Sequence, residues 1–145
     1  RRALLSQRWR MTLDEFPCWN LHIPMPPLSS TTTDITIGYI DSNGSTQTMP
    51  STDYLIDSDS LPARVTPRYG GSWPSTRDQL NAVTVNFWAG STSTTDIPAG
   101  TLTGMKLLIG HWYEHREEVI TGTIRAEMPF AAKMLLEQGE YGSYI

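Results

Sequence analysis

The chain has 145 residues, 39% hydrophobic and 18% charged, which suits one globular domain and leaves little room for a second. It carries a net charge of −4 and no apolar run near the ~18–20 residues of a bilayer span, which argues against a membrane protein; the opening residues carry no signal-peptide pattern. A single cysteine, Cys18, excludes an internal disulfide and fits synthesis in a reducing cytosol.

The charge is unevenly placed. Arg1, Arg2, Arg8 and Arg10 put four positive charges and no negative one in the first ten residues, while the other 135 hold seven basic and fifteen acidic groups, a balance of −8. Such an end suits phosphates or an acidic partner, or is simply the solvated face of an element. The opening "RALL" reads as the end of a helix that starts before Arg1. Residues 6–16, "SQRWRMTLDEF", alternate Trp9, Met11 and Leu13 with Arg8, Arg10 and Thr12, a strand with one apolar face. Four prolines between Pro17 and Pro27 then make an extended connector, pinned by Phe16, Trp19, Leu21 and Ile23.

Residues 34–49 form a hairpin, with Ile35, Ile37 and Tyr39 on one face and the turn signal Asn43-Gly44. Short strands follow at 53–57 and 63–67, then a loop at 68–79 holding Gly70-Gly71 and Trp73-Pro74. Residues 81–90 alternate Val83, Val85 and Phe87 with Thr84, Asn86 and Trp88, a further strand. After a polar tract at 91–96, Asp96 as N-cap and Pro98 in the first turn start a helix running to about Ile120. That helix is ~34 Å long, with Leu102, Met105, Ile109, Trp112, Tyr113 and Val119 on one face. A second helix over 128–138 has Phe130, Met134 and Leu135 as its apolar set.

The predicted fold is α+β. One domain spans 1–138, β-rich over 6–90 and helical over 96–138, and a C-terminal arm spans 139–145. A long and a short helix pack with a small antiparallel sheet drawn from residues 7–13, 35–57, 63–67 and 82–89.

The stretch "HWYEHRE" at 111–117 contains His111-x-x-Glu114-His115, the order of ligands and base in one class of zinc peptidases. Spaced by four, the two imidazoles leave a helix on one side. A third ligand and a cleft-forming second half are then needed, and only thirty residues follow His115. A structural zinc on Cys18, His22, His111 and His115 supplies four ligands but lacks the tight cysteine pairs of such sites. The structural reading is stronger: the two histidines flank an apolar stripe beside Gly104 and Leu108, and Arg116 lies in that stripe, paired with a carboxylate or reaching into an interface. No phosphate loop or nucleophile elbow is present. Five tryptophans leave a β-rich carbohydrate-binding module and a small zinc-binding protein as alternatives to a purely structural protein.

Taken in order, "RALLSQRWRMTLDEFP", "IPMPPLSS", "ITIGYIDSNGSTQTM", "YLIDSDSLPARVTPRYGGSWP", "NAVTVNFWAG" and "IPAGTLTGMKLLIGHWYEHRE" resemble the head–tail connector (adaptor) family of long-tailed bacteriophages and gene transfer agents, over most of residues 3–117. The resemblance implies a non-enzymatic virion protein without cofactor. It implies a homo-oligomeric ring, typically of twelve copies, beneath the portal of a DNA-filled head and joined to a stopper or tail-completion protein. Genomic DNA would pass through the channel without sequence-specific binding. In the family, Trp73 and the 111–117 helix end look like scaffold. Apolar and aromatic residues supply the anchors a ring needs, and Tyr141, Tyr144 and Ile145 suit a terminal arm that orders on binding a neighbour.

Overall fold

Period-two alternation becomes strand, and the apolar half of each strand becomes core. The computed structural model describes residues 2–29, 35–114 and 129–137, which fall into two units, Arg2–Thr92 and a second beginning at Ser93. Together they give the expected α+β fold.

In the first unit, β1 (Gln7–Leu13), β7 (Val83–Ala89), β3 (Thr36–Ile40) and β4 (Thr46–Thr48) lie side by side in that order. A second sheet orders β2 (Leu21–Ile23), β6 (Ala63–Pro67) and β5 (Tyr54–Asp57). All pairings within the sheets are antiparallel. The strands thus divide between two sheets, where the sequence suggested one. The connector contributes β2, whose Leu21 and Ile23 are buried.

The core is built from the inward residues of both sheets, chiefly Ile23, Ile37, Val65, Val83, Val85 and Phe87, all essentially inaccessible to solvent. Each such side chain removed from water contributes about 1.5–3 kcal/mol. Register explains the choice: Met11 faces Val85, Leu13 faces Val83 and Ile37 faces Val85 across the ladders, so one face of three strands is apolar throughout. The Tyr54 hydroxyl, in that core, donates to the Ile35 carbonyl at 2.9 Å, and burial pushes its pKa up.

The β3–β4 turn is longer than a two-residue hairpin. The Asp41 amide bonds the Ser45 carbonyl, the Gly44 amide bonds the Asp41 carbonyl, and Gly44 takes φ +87°, the left-handed position a three-residue loop requires. Gly90 is a second such position, at φ +98°, and a Cβ there would run into the Leu5 carbonyl. The close crossing is tied by hydrogen bonds from the Ser6 amide to Ser91 and from the Ser91 amide to Leu4. Residues 3–5 are accordingly not a helix end. Ala3 is buried with its amide on Pro26, and Leu5 bridges Ser91.

The second unit opens with a 3-10 turn, Thr94–Asp96, whose N-cap is Ser93, its hydroxyl accepting from the Thr95 amide at 3.2 Å. Asp96 therefore ends this turn instead of capping the long helix. α1 (Ala99–Glu114) takes its first bond from Leu102 N–H to the Pro98 carbonyl; residues 115–120 of the expected helix lie outside the described residues. α2 (Phe130–Glu137) likewise starts on the Pro129 carbonyl. The helices meet at Gly104, whose Cα lies so near α2 that a Cβ would stand 3.1–3.3 Å from Leu136, Leu135 and the Ala132 carbonyl. No described helix is long and apolar enough to cross a membrane.

Candidate interaction surfaces

Four expected partner-binding residues, Arg116, Tyr141, Tyr144 and Ile145, lie outside the described residues, as does His115. His111 is half-buried on α1, one turn beyond the buried Leu108. His22 sits exposed on β2, and Cys18 is exposed in the connector. Among the described residues no group of three or more His, Cys, Asp or Glu could hold a metal ion.

The helical unit corrects one expectation about faces. α1 packs through Thr101, Gly104 and Leu108, and α2 through Ala132, with Leu135 and Leu136 half-buried. The large apolar residues expected to pack are instead outward: Ile109 and Trp112 are each 63% exposed, Tyr113 is 70% exposed, and Leu102, Phe130 and Met134 are exposed too. The physical reason is distance. Helix axes approach closely where side chains are small, so the threonine–glycine stripe becomes the seam, and the bulky stripe some 100° round is left to solvent.

Two polar clusters on the strand unit escaped the sequence reading. At the β5–β6 turn, Asp57 accepts from the Ser60 hydroxyl at 2.6 Å, from the Ser60 amide at 3.1 Å and from Arg64 Nη2 at 2.6 Å. These bonds, Ser60 first and Arg64 next, hold its carboxyl well below the usual carboxylate range. At the hairpin, Asp41 accepts from the Ser45 and Asn43 amides and from Gln47 Nε2. The Ser45 amide and then Gln47 lower its pKa. Both are aspartates opening Asp/Ser/Asn-rich turns, where the side chain satisfies amides two to four residues on. That pattern was the available signal. Both clusters brace turns.

Phe16 stacks on Trp73 with ring centroids 4.8 Å apart, and meets Tyr39 edge-on at 6.0 Å. Trp73 Nε1 donates to the Trp19 carbonyl, so Trp73 is scaffold and its neighbour Trp19, 83% exposed, pins the connector by its backbone only. Beside this cluster an open depression of about 360 Å³ is lined by Tyr39, Met49, Asp53, Arg68, Tyr69 and Pro74. It holds no convergent set of acid, base and nucleophile.

Among the described residues β1 is an edge strand, paired with β7 alone. Its Arg8 and Arg10 face outward opposite Trp88 and Asn86, and Arg10 Nε donates to Asn86 Oδ1 at 3.1 Å.

No protein-family model matches the sequence, and no curated protein matches it. Solved structures do resemble the fold. A chain in the neck of an empty gene transfer agent (GTA) particle, computed with C6 symmetry, superposes with TM-score 0.67 at 20% identity, over 99% of this chain and 70% of that one. A chain in the virion of a native GTA particle gives 0.68 at 18% identity over 99% and 70%. A chain in the neck of a native GTA particle, computed with C12 symmetry, gives 0.64 at 19% identity over 99% and 74%. The fold of this chain is therefore that of a GTA particle component, in agreement with the resemblance to head–tail connectors read from the sequence.

Proposed function

We propose that this chain is a structural adaptor of a tailed-phage-like neck, forming a ring under the portal and linking the DNA-filled head to the stopper or tail. The observation that carries the reading is the match of 99% of the chain to neck chains of GTA particles. It is supported by the order of the sequence segments that resemble connectors. The C6 and C12 symmetries of those necks favour a ring of many copies, and twelve is the number we propose. The surfaces suit assembly better than chemistry: exposed large apolar residues on α1 and α2, and titratable groups that brace turns.

On this reading the protein is not an enzyme and takes no cofactor. It is made in the host cytoplasm and ends in the virion neck, with a connector domain over 1–138 and a C-terminal arm over 139–145. Arg116, Tyr141, Tyr144 and Ile145 are the proposed contacts of that end with portal or neighbour. DNA passes the channel without sequence-specific binding. The test is the particle mass of the full chain alone and after mixing with the portal protein of its own genome. A light species that joins the portal as a large ring supports the reading, whereas a monomer indifferent to portal overturns it.

A further inference from the structure

The strand unit carries opposite charges at the two ends of one strand, and neither end forms an ion pair among the described residues. Arg8 and Arg10 lie exposed near the start of β1. Just past its end, exposed Asp14 and Glu15 join Asp78, Arg77 and Thr76 around a depression of about 340 Å³. The ion pairs present among the described residues are Arg64–Asp57 and Lys133–Glu137; none involves these groups. From Arg8 to Asp14 is six residues, about 20 Å of extended chain. The two ends are thus too far apart to neutralise each other in one copy.

We infer that they meet between copies: the basic start of β1 in one copy docks on the acidic depression beyond the end of β1 in the next. Charge complementarity selects the partner. The chain as a whole is acidic, net −4, so a second copy offers the carboxylates that Arg8 and Arg10 lack. The acidic side holds three carboxylates, Asp14, Glu15 and Asp78, against one guanidinium, Arg77, an excess of two. Arg77 is itself engaged toward the hairpin, where a Cβ on Gly44 would meet its guanidinium. The receiving and offering surfaces differ, so the contact is heterologous, and repetition of a heterologous contact closes a ring when its rotation allows. Arg10 is held in place by Asn86, which reduces the side-chain freedom lost on docking. Arginines on an edge strand also discourage sheet-to-sheet pairing, but that role gives no reason for carboxylates without an ion pair at the far end.

This inference rests on the ring reading, and the experiment separates the two. The full chain is mixed with the portal of its genome and ring formation is followed by particle mass against protein concentration. Arg8→Glu with Arg10→Glu, and separately Glu15→Lys with Asp78→Lys, should each raise the concentration needed by roughly tenfold or more, as removal of complementary interface charges does. Asp14 is left in place because its carboxylate accepts the Asn81 amide at 2.8 Å. The chain bearing all four substitutions should recover rings, which a folding defect would not permit. If both paired variants form rings at the wild-type concentration, the inference is overturned and the ring reading stands. If the wild-type chain forms no ring, the ring reading fails and the inference with it. If the arginine variant loses rings, the fourfold variant does not regain them, and wild type alone is retained on double-stranded DNA, the arginines serve a nucleic acid and the inference is overturned.

Discussion

The strand unit and the helical unit solve packing in opposite ways. Residues 2–92 bury large branched and aromatic side chains, Ile37, Val65, Val85 and Phe87 among them, in a core shared by two sheets. The helical unit buries Thr101, Gly104, Leu108 and Ala132 and leaves Ile109, Trp112, Tyr113 and Phe130 outside. A sheet face is flat and some 10 Å from the next layer, so it needs bulk. Two short helices gain most contact by approaching at a glycine. The first unit has the interior of a self-sufficient fold, whereas the described part of the second carries its bulky residues on its surface.

Substitutions can break or sharpen this contrast. Phe87→Ala in the strand core should cost the most, about 3–5 kcal/mol, read as a lowered midpoint in denaturant unfolding. Gly104→Leu tests the other kind of interior. Its side chain has to displace Leu135, Leu136 and the Ala132 backbone, at about 1–3 kcal/mol, with loss of helical circular dichroism ahead of the aromatic signal of the strand unit.

Asp57→Asn probes a brace on the strand surface. The carboxyl is depressed in the folded state from its ordinary 3.8. Its contribution is therefore present above that value and is lost as pH falls below it through the folded pKa. The variant should melt below wild type at neutral pH, and the gap should close as the solution is taken below that point. The smallest effect is expected for Trp112→Ser: an exposed residue outside the seam should shift stability by no more than about 0.5 kcal/mol, whereas a shift like that of Phe87→Ala would mean the bulky face is interior after all.

The sequence was most legible where one period governs. β1, β3, β6 and β7 were anticipated because their alternation matches burial on one side, and the Asn43-Gly44 turn because Gly44 needs positive φ. Division into two sheets was not legible, since register between distant strands depends on which apolar faces meet, and every face of Val and Ile reads alike. β2 was hidden by its prolines, although Leu21 and Ile23 signalled burial. The α1 face was misjudged because hydrophobicity was weighed above size: Trp112 and Ile109 dominate any apolar count, yet the seam belongs to Thr101 and Gly104. The surface charges were visible as the basic first ten residues. Their isolation from Asp14, Glu15 and Asp78 needed the strand's extended length to be seen.

The most direct test of the adaptor account is electron cryomicroscopy of the neck of particles produced from the genome that encodes this chain. The account predicts a ring of repeated subunits directly below the portal, into whose density the two-sheet unit and the α1–α2 pair both fit. Particles with an intact neck that lacks this chain would contradict it.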